Sequence, residues 1–405
     1  MSRIVIWFES IVGGGHLQVA DLLARGALAA GLETHLVSGS FHRSPDLDFG
    51  GAVRHAYPKE LGLHHEAARG YVTANGIPLA SAGALLERRR AFLHDVIGQV
   101  RPDAILTEHW PFGRGHLDRE ILPVIEAVKA DRPWTRLYGS ARDVMLLAEG
   151  EHAGGSADAS ADIVNRLFDR IFVHADPAFV RFEDSFPATA RIQAKLSYTG
   201  YLVHPMSRRE IWPDERRPVV VSCGAGRTQD GADLYLAAIA CRQMLPPRHP
   251  LAVRPWQFFV SPAYDEEFLQ FVRERASASG CEVDVVGNLP GPAFRAALVN
   301  AALSISLGGY NTVIETYVAD VPAVLLPHHN RAGGQSRRAQ AFAVLGKMVV
   351  LPHAGRCDPR CLRSALERAW SKRHVKQRPL RLAGEGALGA QIAHDLAEVG
   401  AMPTS

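Results

Sequence analysis

Three stretches of this 405-residue chain run from a short apolar segment into a glycine cluster and then into a helical pattern. Gly13-Gly14-Gly15-His16 follows Ile4–Phe8, and Ser222-Cys223-Gly224-Ala225-Gly226 follows Val219–Val221. Gly308-Gly309-Tyr310-Asn311-Thr312 follows Leu303–Leu307. Glycine at such a turn lets the main chain approach a ligand closely and aim amides at an anion, helped by the helix dipole. One such turn says little, because glycine closes strand–helix connections in many folds. Three, spread over both halves, predict a phosphate-bearing ligand. In the third turn Asn311 reads as the N-cap of a helix beginning at Thr312. Glu315 then falls about one turn in, where it can accept hydrogen bonds from a vicinal diol while the turn amides hold phosphates. Its plainer role is compensation of the helix dipole.

The first half supplies acid–base groups. His16 stands at the start of a helix, where the dipole favours the neutral ring that can act as a base; the alternative is a capping or packing role. His109, in Glu108-His109-Trp110-Pro111-Phe112-Gly113, follows the apolar run Ala104–Thr107 and is expected at the same rim. Arg114 is placed to meet an anionic acceptor or a diphosphate. Asp143, after Arg142, is a further base candidate or a solvent-facing neighbour of that arginine, and Glu9 ends the first strand at the same rim. The runs Glu87-Arg88-Arg89-Arg90 and Arg337-Arg338 read as solvated helix faces, with a phosphate role open for the second. The other histidines read as surface or loop residues.

Several ligand classes are disfavoured. The first glycine turn lacks G-x-G-x-x-G, and His35-Leu36-Val37-Ser38 provides no acidic residue at the end of the second strand, so a dehydrogenase is not expected. No Gly-Lys-Ser/Thr occurs, which argues against a P-loop kinase. Asp46-Leu47-Asp48 lies in a polar stretch far from any glycine turn and reads as solvent-facing rather than metal-binding. The five cysteines form neither a disulfide framework nor a zinc pattern, and are expected as reduced thiols of a cytosolic protein. A net charge of +3 makes no case for nucleic acid.

The elements that must position these groups alternate between apolar runs and amphipathic stretches, the pattern of parallel sheets covered by helices. Composition, with 47% hydrophobic and 21% charged residues, is that of a folded globular protein of two domains. In the first half strands are expected at Ile4–Phe8, Thr34–Val37, Ala104–Thr107, Trp134–Tyr138 and Ile171–Val173. Helices are expected at Leu17–Ala30, Leu85–Val100 and Arg119–Ala130, with a loop leading into a helix over Gly150–Asp162. The alternation restarts at Val219 and runs to the helix Arg360–Ser371. The predicted division is therefore residues 1–200, a linker 201–217, a second domain 218–380, and a C-terminal segment 381–405 whose helix crosses back to the first domain. The fold class is α/β, two Rossmann-like domains facing across a cleft, with the ligand at the carboxyl ends of the strands. The apolar N-terminal run is too short for a secretory signal, and no stretch reaches the length of a membrane span. Membrane contact is expected to be at most peripheral, at the inner face.

The run Gly308-Gly309-Tyr310-Asn311-Thr312-Val313-Ile314-Glu315, followed by Val321-Pro322-Ala323 and Gln335, resembles the donor-site signature of GT-B glycosyltransferases. The likeness is to family 28, typified by the N-acetylglucosaminyltransferase of peptidoglycan lipid intermediates, and to a bacterial group of family-28-like glycosyltransferases. That group shares the Gly-Tyr-Asn-Thr run, Gly15-His16-Leu17, the motif from His109 to Gly113, and Arg142-Asp143. The resemblance covers most of the chain. It implies a metal-independent, inverting transfer from a nucleoside-diphosphate sugar, usually UDP-linked, with no cofactor besides that co-substrate. Glu315 would hold the ribose. Gly308, Gly309, Tyr310, Asn311 and Thr312, with Gly224, Ala225 and Gly226, would cradle the diphosphate. The backbone near Gly287 to Leu289 would meet the base, and Gln335 the sugar hydroxyls. Gly13, Gly14, Gly15, Arg114 and Arg142 would serve the phosphate or acceptor side, with His16, His109 or Asp143 as base. Such families commonly set an acidic residue before that glutamine; here it is Gly334, which leaves the sugar open. The acceptor, whether a small molecule, a lipid-linked group or a polysaccharide precursor, is not readable. A nucleotide-sugar hydrolase or epimerase, or a nucleotide-sugar-binding regulator, fits the same donor residues.

Overall fold

The computed structural model describes residues 1–11, 13–43, 47–66, 69–145, 156–206, 213–224, 228–261, 264–287, 289–327, 334–351, 357–384 and 386–400. Ala225, Gly226, Asp46 and the segment His328–Asn330 lie outside them. The chain forms two compact units, Met1–Val203 with Leu380–Ser405, and His204–Pro379.

Unit 1 is built on β1 (Arg3–Trp7), β2 (Glu33–Ser38), β3 (Val53–Ala56), a small antiparallel hairpin of β4 (Leu63–Glu66) and β5 (Gly70–Thr73), then β6 (Ala104–Glu108), β7 (Arg136–Arg142), β8 (Arg170–His174) and β9 (Leu196–Tyr198). Its parallel sheet has the order β3-β2-β1-β6-β7-β8-β9. The helices α1 (Gly15–Ala29), α2 (Gly83–Val100), α3 (Asp118–Asp131), α4 (Ala157–Leu167) and α5 (Thr189–Ile192) connect these strands. Ile4, Val5, Ile6 and Trp7 are all fully buried, the continuous apolar run of a strand covered on both faces. A short strand, β10 (Tyr201–Leu202), begins where the sequence suggests linker; it pairs in parallel with Leu382–Ala383 near the C-terminus.

Unit 2 repeats the plan with β11 (Val219–Ser222), β12 (Trp256–Val260), β13 (Val283–Gly287), β14 (Leu303–Leu307), β15 (Ala323–Leu326) and β16 (Met348–Val350), ordered β13-β12-β11-β14-β15-β16. Its helices are α6 (Gln229–Met244), α7 (Glu266–Ala278), α8 (Gly291–Asn300), α9 (Tyr310–Val318), α10 (Gly334–Ala343) and α11 (Pro359–Ser371). The chain then returns to unit 1 through β17 (Leu382–Ala383) and α12 (Ala387–Gly400), which packs on α1. A Cβ on Gly389 would lie 1.9 Å from Gly26 O, so the two helix backbones are in direct contact there. Both sheets are thus the doubly wound parallel type expected from the sequence. No helix of the described residues is long and apolar enough to cross a membrane.

In each sheet the order reverses beside the first strand, between β1 and β6 in unit 1 and between β11 and β14 in unit 2. Connections leaving neighbouring strands there diverge to opposite faces and open a crevice at the carboxyl ends. The first glycine turn and the His109 motif flank the reversal in unit 1. The second and third glycine turns flank it in unit 2.

Candidate active site

In unit 1, Gly14 is the N-cap of α1 without a side-chain cap, and His16 is the second residue of the helix. No acidic residue lies in that first turn. Gly13 takes φ +66°, and its carbonyl accepts from Ser10 Oγ at 2.8 Å. The His16 ring does not cap the helix. Its Nδ1 lies 2.6 Å from Glu108 Oε2 and 2.9 Å from Oε1, at the end of β6 next to β1. Burial, then the charges of Arg142 and Arg114, hold this imidazole well below its usual range. A neutral ring facing a carboxylate, which can only accept, keeps its proton on Nδ1 and leaves Nε2 as the basic atom. Glu108, 1% exposed, also receives Arg142 Nη2 at 3.4 Å from the end of β7. Three adjacent strand ends therefore assemble one histidine–carboxylate–guanidinium group.

His109 joins it, its ring centroid 5.2 Å from that of His16. Its main chain is left-handed, φ +67°, held by N–H donation to Ser140 O at 2.8 Å. Burial, then His16, depresses its basicity, and its Nδ1 is buried without a hydrogen-bond partner. Gly113 makes room for this ring: a Cβ there would stand 2.3 Å from His109 Nε2.

Other sequence expectations are corrected in this unit. Asp143 is not a solvent-facing neighbour of Arg142: it is fully buried, and accepts from Val144 N–H at 2.8 Å and Tyr201 Oη at 3.4 Å. Glu9 is buried too, and its carboxylate is occupied by Arg89, Gly39 N–H and Ser40 Oγ. Arg89 is no solvated cation. Helical spacing sets it on the inward face of α2 with Leu86 and Leu93, where it is 0% exposed between Glu9 and Glu120. His174 is likewise buried, pushed down to about 3 by burial and bridging Ser140 Oγ and Thr199 Oγ1. His35 is buried as well, and so is His204 at the start of unit 2.

In unit 2 the N-cap of α9 is Gly309, in extended backbone, and the helix begins at Tyr310. Asn311 is therefore not the cap but a first-turn residue, with Thr312 beside it. Gly308 lies against the start of α10: a Cβ there would be 3.5 Å from Gln335 O and 3.4 Å from Pro327 Cα. This brings the backbone of Gln335 to the third glycine turn. No acidic residue sits in the first turn of α9, and Glu315 is the sixth residue, beyond simple dipole compensation. Its carboxylate is largely buried, 3.6 Å from Arg295 Nη1 on α8. Burial, opposed by Arg295, pushes it up to about 7.

Arg338, read as solvated, is 6% exposed, with its guanidinium 5.2 Å from the Tyr310 ring centroid. Gly224 takes φ +72°, the left-handed conformation a tight turn requires. The helix after that turn starts at Gln229, capped by Thr228, which receives Gly231 N–H at 3.0 Å. Gly287 serves packing, since a Cβ there would meet Leu269 at 2.6 Å, and Leu289 packs on the core beneath α8.

Glu108 and Arg295 are the candidate-site residues that sequence reasoning did not single out; for Arg338 it left a phosphate role open but read the side chain as solvated. Glu108 carried a signal, a carboxylate closing an apolar strand beside the first glycine turn. Arg295 carried none, because only tertiary packing turns α8 toward α9.

No protein-family model and no curated protein matches this sequence. Solved structures do match in shape. The calicheamicin glycosyltransferase CalG4 aligns with a TM-score of 0.60 at 15% identity over 100% of both chains. MurG of Acinetobacter baumannii gives 0.56 at 15% identity, over 99% of this chain and 100% of its own. The UDP-GlcNAc 2-epimerase of Neisseria meningitidis, bound to UDP-GlcNAc, gives 0.57 at 8% identity over 98% of each chain. The chain has the GT-B fold.

Proposed function

We propose that this GT-B chain is a glycosyltransferase that moves a sugar from a nucleoside-diphosphate sugar, UDP-linked, to an acceptor hydroxyl with inversion. The observation that carries it is the His16–Glu108 pair at the strand reversal of unit 1, a neutral imidazole whose second nitrogen is left basic. In the reaction the acceptor oxygen bonds to the anomeric carbon while its proton passes to His16 Nε2. The bond from that carbon to the diphosphate breaks, and its electron pair leaves with the UDP. Glu108 stabilises the imidazolium as it forms and orients the ring. In unit 2 the amides at Gly308 to Thr312 neutralise the departing diphosphate, so no divalent cation is needed. Glu315 holds the ribose and Gln335 faces the sugar. The likeness to the structure bound to UDP-GlcNAc supports uracil as the nucleobase of the donor.

A second reading rests on that same likeness, since an epimerase also binds a UDP-sugar on this fold. Turnover of a panel of UDP-sugars with and without added acceptors separates the two. Product formed without any acceptor would favour hydrolysis or epimerisation. For transfer, His16→Ala is expected to slow turnover about a hundred-fold or more, with UDP affinity nearly unchanged. Glu108→Gln is expected to slow it by about ten- to a hundred-fold. Turnover should survive EDTA. Equal loss of UDP binding and turnover in His16→Ala would remove the base assignment.

A further inference from the structure

The cations around His16 outnumber the carboxylates free to meet them. Glu9 is consumed by Arg89, Gly39 and Ser40, Glu108 by His16 and Arg142, and Glu120 by Arg89 and Tyr57. Arg114, only 6% exposed, has no carboxylate partner among the described residues. Its Nη2 donates to the main-chain oxygen of Glu9 at 2.9 Å, and its Nε is buried without a partner. A guanidinium carries five donors and cannot shed its charge, so burying it against one neutral carbonyl is costly unless an anion completes it.

The neighbouring groups repeat the pattern. Arg43, facing the same Glu9, keeps a buried Nε without a partner. His116, near Arg114, keeps a buried Nε2 without one, and its other contact is apolar, a stack on Tyr71 at 3.9 Å from the hairpin β4–β5. His109 Nδ1 is the fourth such atom. Four side chains grouped around Glu9, Arg114 and His16 thus each keep a buried nitrogen without a partner, and two of them are permanently charged.

We propose that unit 1 binds an acceptor bearing an oxyanion, a carboxylate or a phosphate, seated on Arg114 with Arg43 and His116 around it. This rests on the reading of His16 as the base that faces an acceptor. The anion anchors the acceptor, and its hydroxyl is offered to His16 Nε2. A neutral sugar or a plain apolar alcohol would leave Arg114 buried and unpaired, which selects against it.

The test uses the full chain with histidine Cε1 labelled for NMR. Inorganic phosphate and acetate are titrated in turn against chloride at constant ionic strength. UDP affinity is measured in parallel by calorimetry. Either oxyanion is expected to move the His116 and His109 resonances saturably, and whichever binds tighter names the acceptor's group. Arg114→Gln should weaken that binding about ten-fold or more. Arg43→Gln, at a half-buried position with no partner to lose, should fold normally and weaken it several-fold. Chloride shifting the same resonances equally, or phosphate and acetate affinities unchanged in Arg43→Gln and Arg114→Gln, would overturn the proposal. Absence of UDP binding with oxyanion binding intact would instead remove the transferase reading alone.

Discussion

Glu315 is a carboxylic acid that burial holds toward its neutral form. Burial pushes it from 4.5 up to about 7, although Arg295 pulls the other way. An acid whose folded pKa is raised contributes stability that is complete below its unfolded value and lost as pH rises through the folded one. At pH 8 the ionised group therefore costs about 3 kcal/mol. Glu315→Gln is expected to stabilise the unliganded chain at pH 8 by up to that amount, with no gain at pH 4. The same variant should lose about ten- to a hundred-fold in UDP affinity, because a neutral amide is a poorer acceptor for the ribose hydroxyls than a carboxylate. Denaturant titration and calorimetry at the two pH values check both halves, and a destabilised variant at pH 8 would contradict the account. The residue itself was legible, since the glycine turn and a carboxylate in the next helix are both visible in sequence. Its partner Arg295 was not, because nothing in α8 alone distinguishes an inward arginine from a solvated one. The reverse failure occurred at Arg89, where a charge run hid a buried cation.

At the scale of elements, the strands were the readable part. Val219–Val221 is fully buried and uniformly apolar, and Leu303–Leu307 sets apolar Leu303, Ile305 and Leu307 between two buried serines, patterns that need no tertiary knowledge. What escaped were the short pieces β3, β9, β10, β17 and the hairpin β4–β5, whose residues alternate or expose polar side chains, as in His64, His65 and Glu66 of the hairpin. Such strands exist because a neighbour pairs with them. The return helix α12 shows the opposite case. Its amphipathic pattern was plain, but its close approach to α1 depends on two glycines facing each other. With Gly26 O only 1.9 Å from where a Cβ on Gly389 would stand, and Gly26 C at 2.4 Å, both obstacles are main chain and cannot rotate aside. Gly389→Ala is expected to lift α12 off α1, burying Leu388 and Ile392 less completely, at a cost of about 1–3 kcal/mol. The midpoint of thermal unfolding reads this, and an alanine there with an unchanged midpoint would mean the helices do not dock so closely. UDP affinity, which the proposed function assigns to unit 2, should stay as it was.

The two units, built on the same plan, are loaded with opposite titrations. Unit 1 buries His16, His109, His116 and His174, all held below the usual 6.5 first by burial. Their folded values are depressed, so their contribution is complete above about 6.5 and lost as pH falls, at roughly 1.4 kcal/mol per proton per pH unit. Asp118, raised to about 6 by burial, opposes them within unit 1, while the half-exposed His42 and His55, also lowered first by burial, act with them. In unit 2 Glu315 runs the other way, its contribution complete below 4.5 and lost as pH rises through about 7. The partly exposed His249 runs against it. Lowering pH from 8 to 5 should therefore weaken unit 1 while unit 2 holds or gains. Hydrogen exchange followed by mass spectrometry, corrected for the intrinsic effect of pH, assigns each peptide to its unit. Peptides from β1 and β6 should lose protection at pH 5, whereas those from β14 and α9 should keep or increase it. In Glu315→Gln the unit 2 response should flatten or reverse while unit 1 behaves as before. Protection falling equally in both units would mean that the buried histidines and Glu315 do not govern stability in this range.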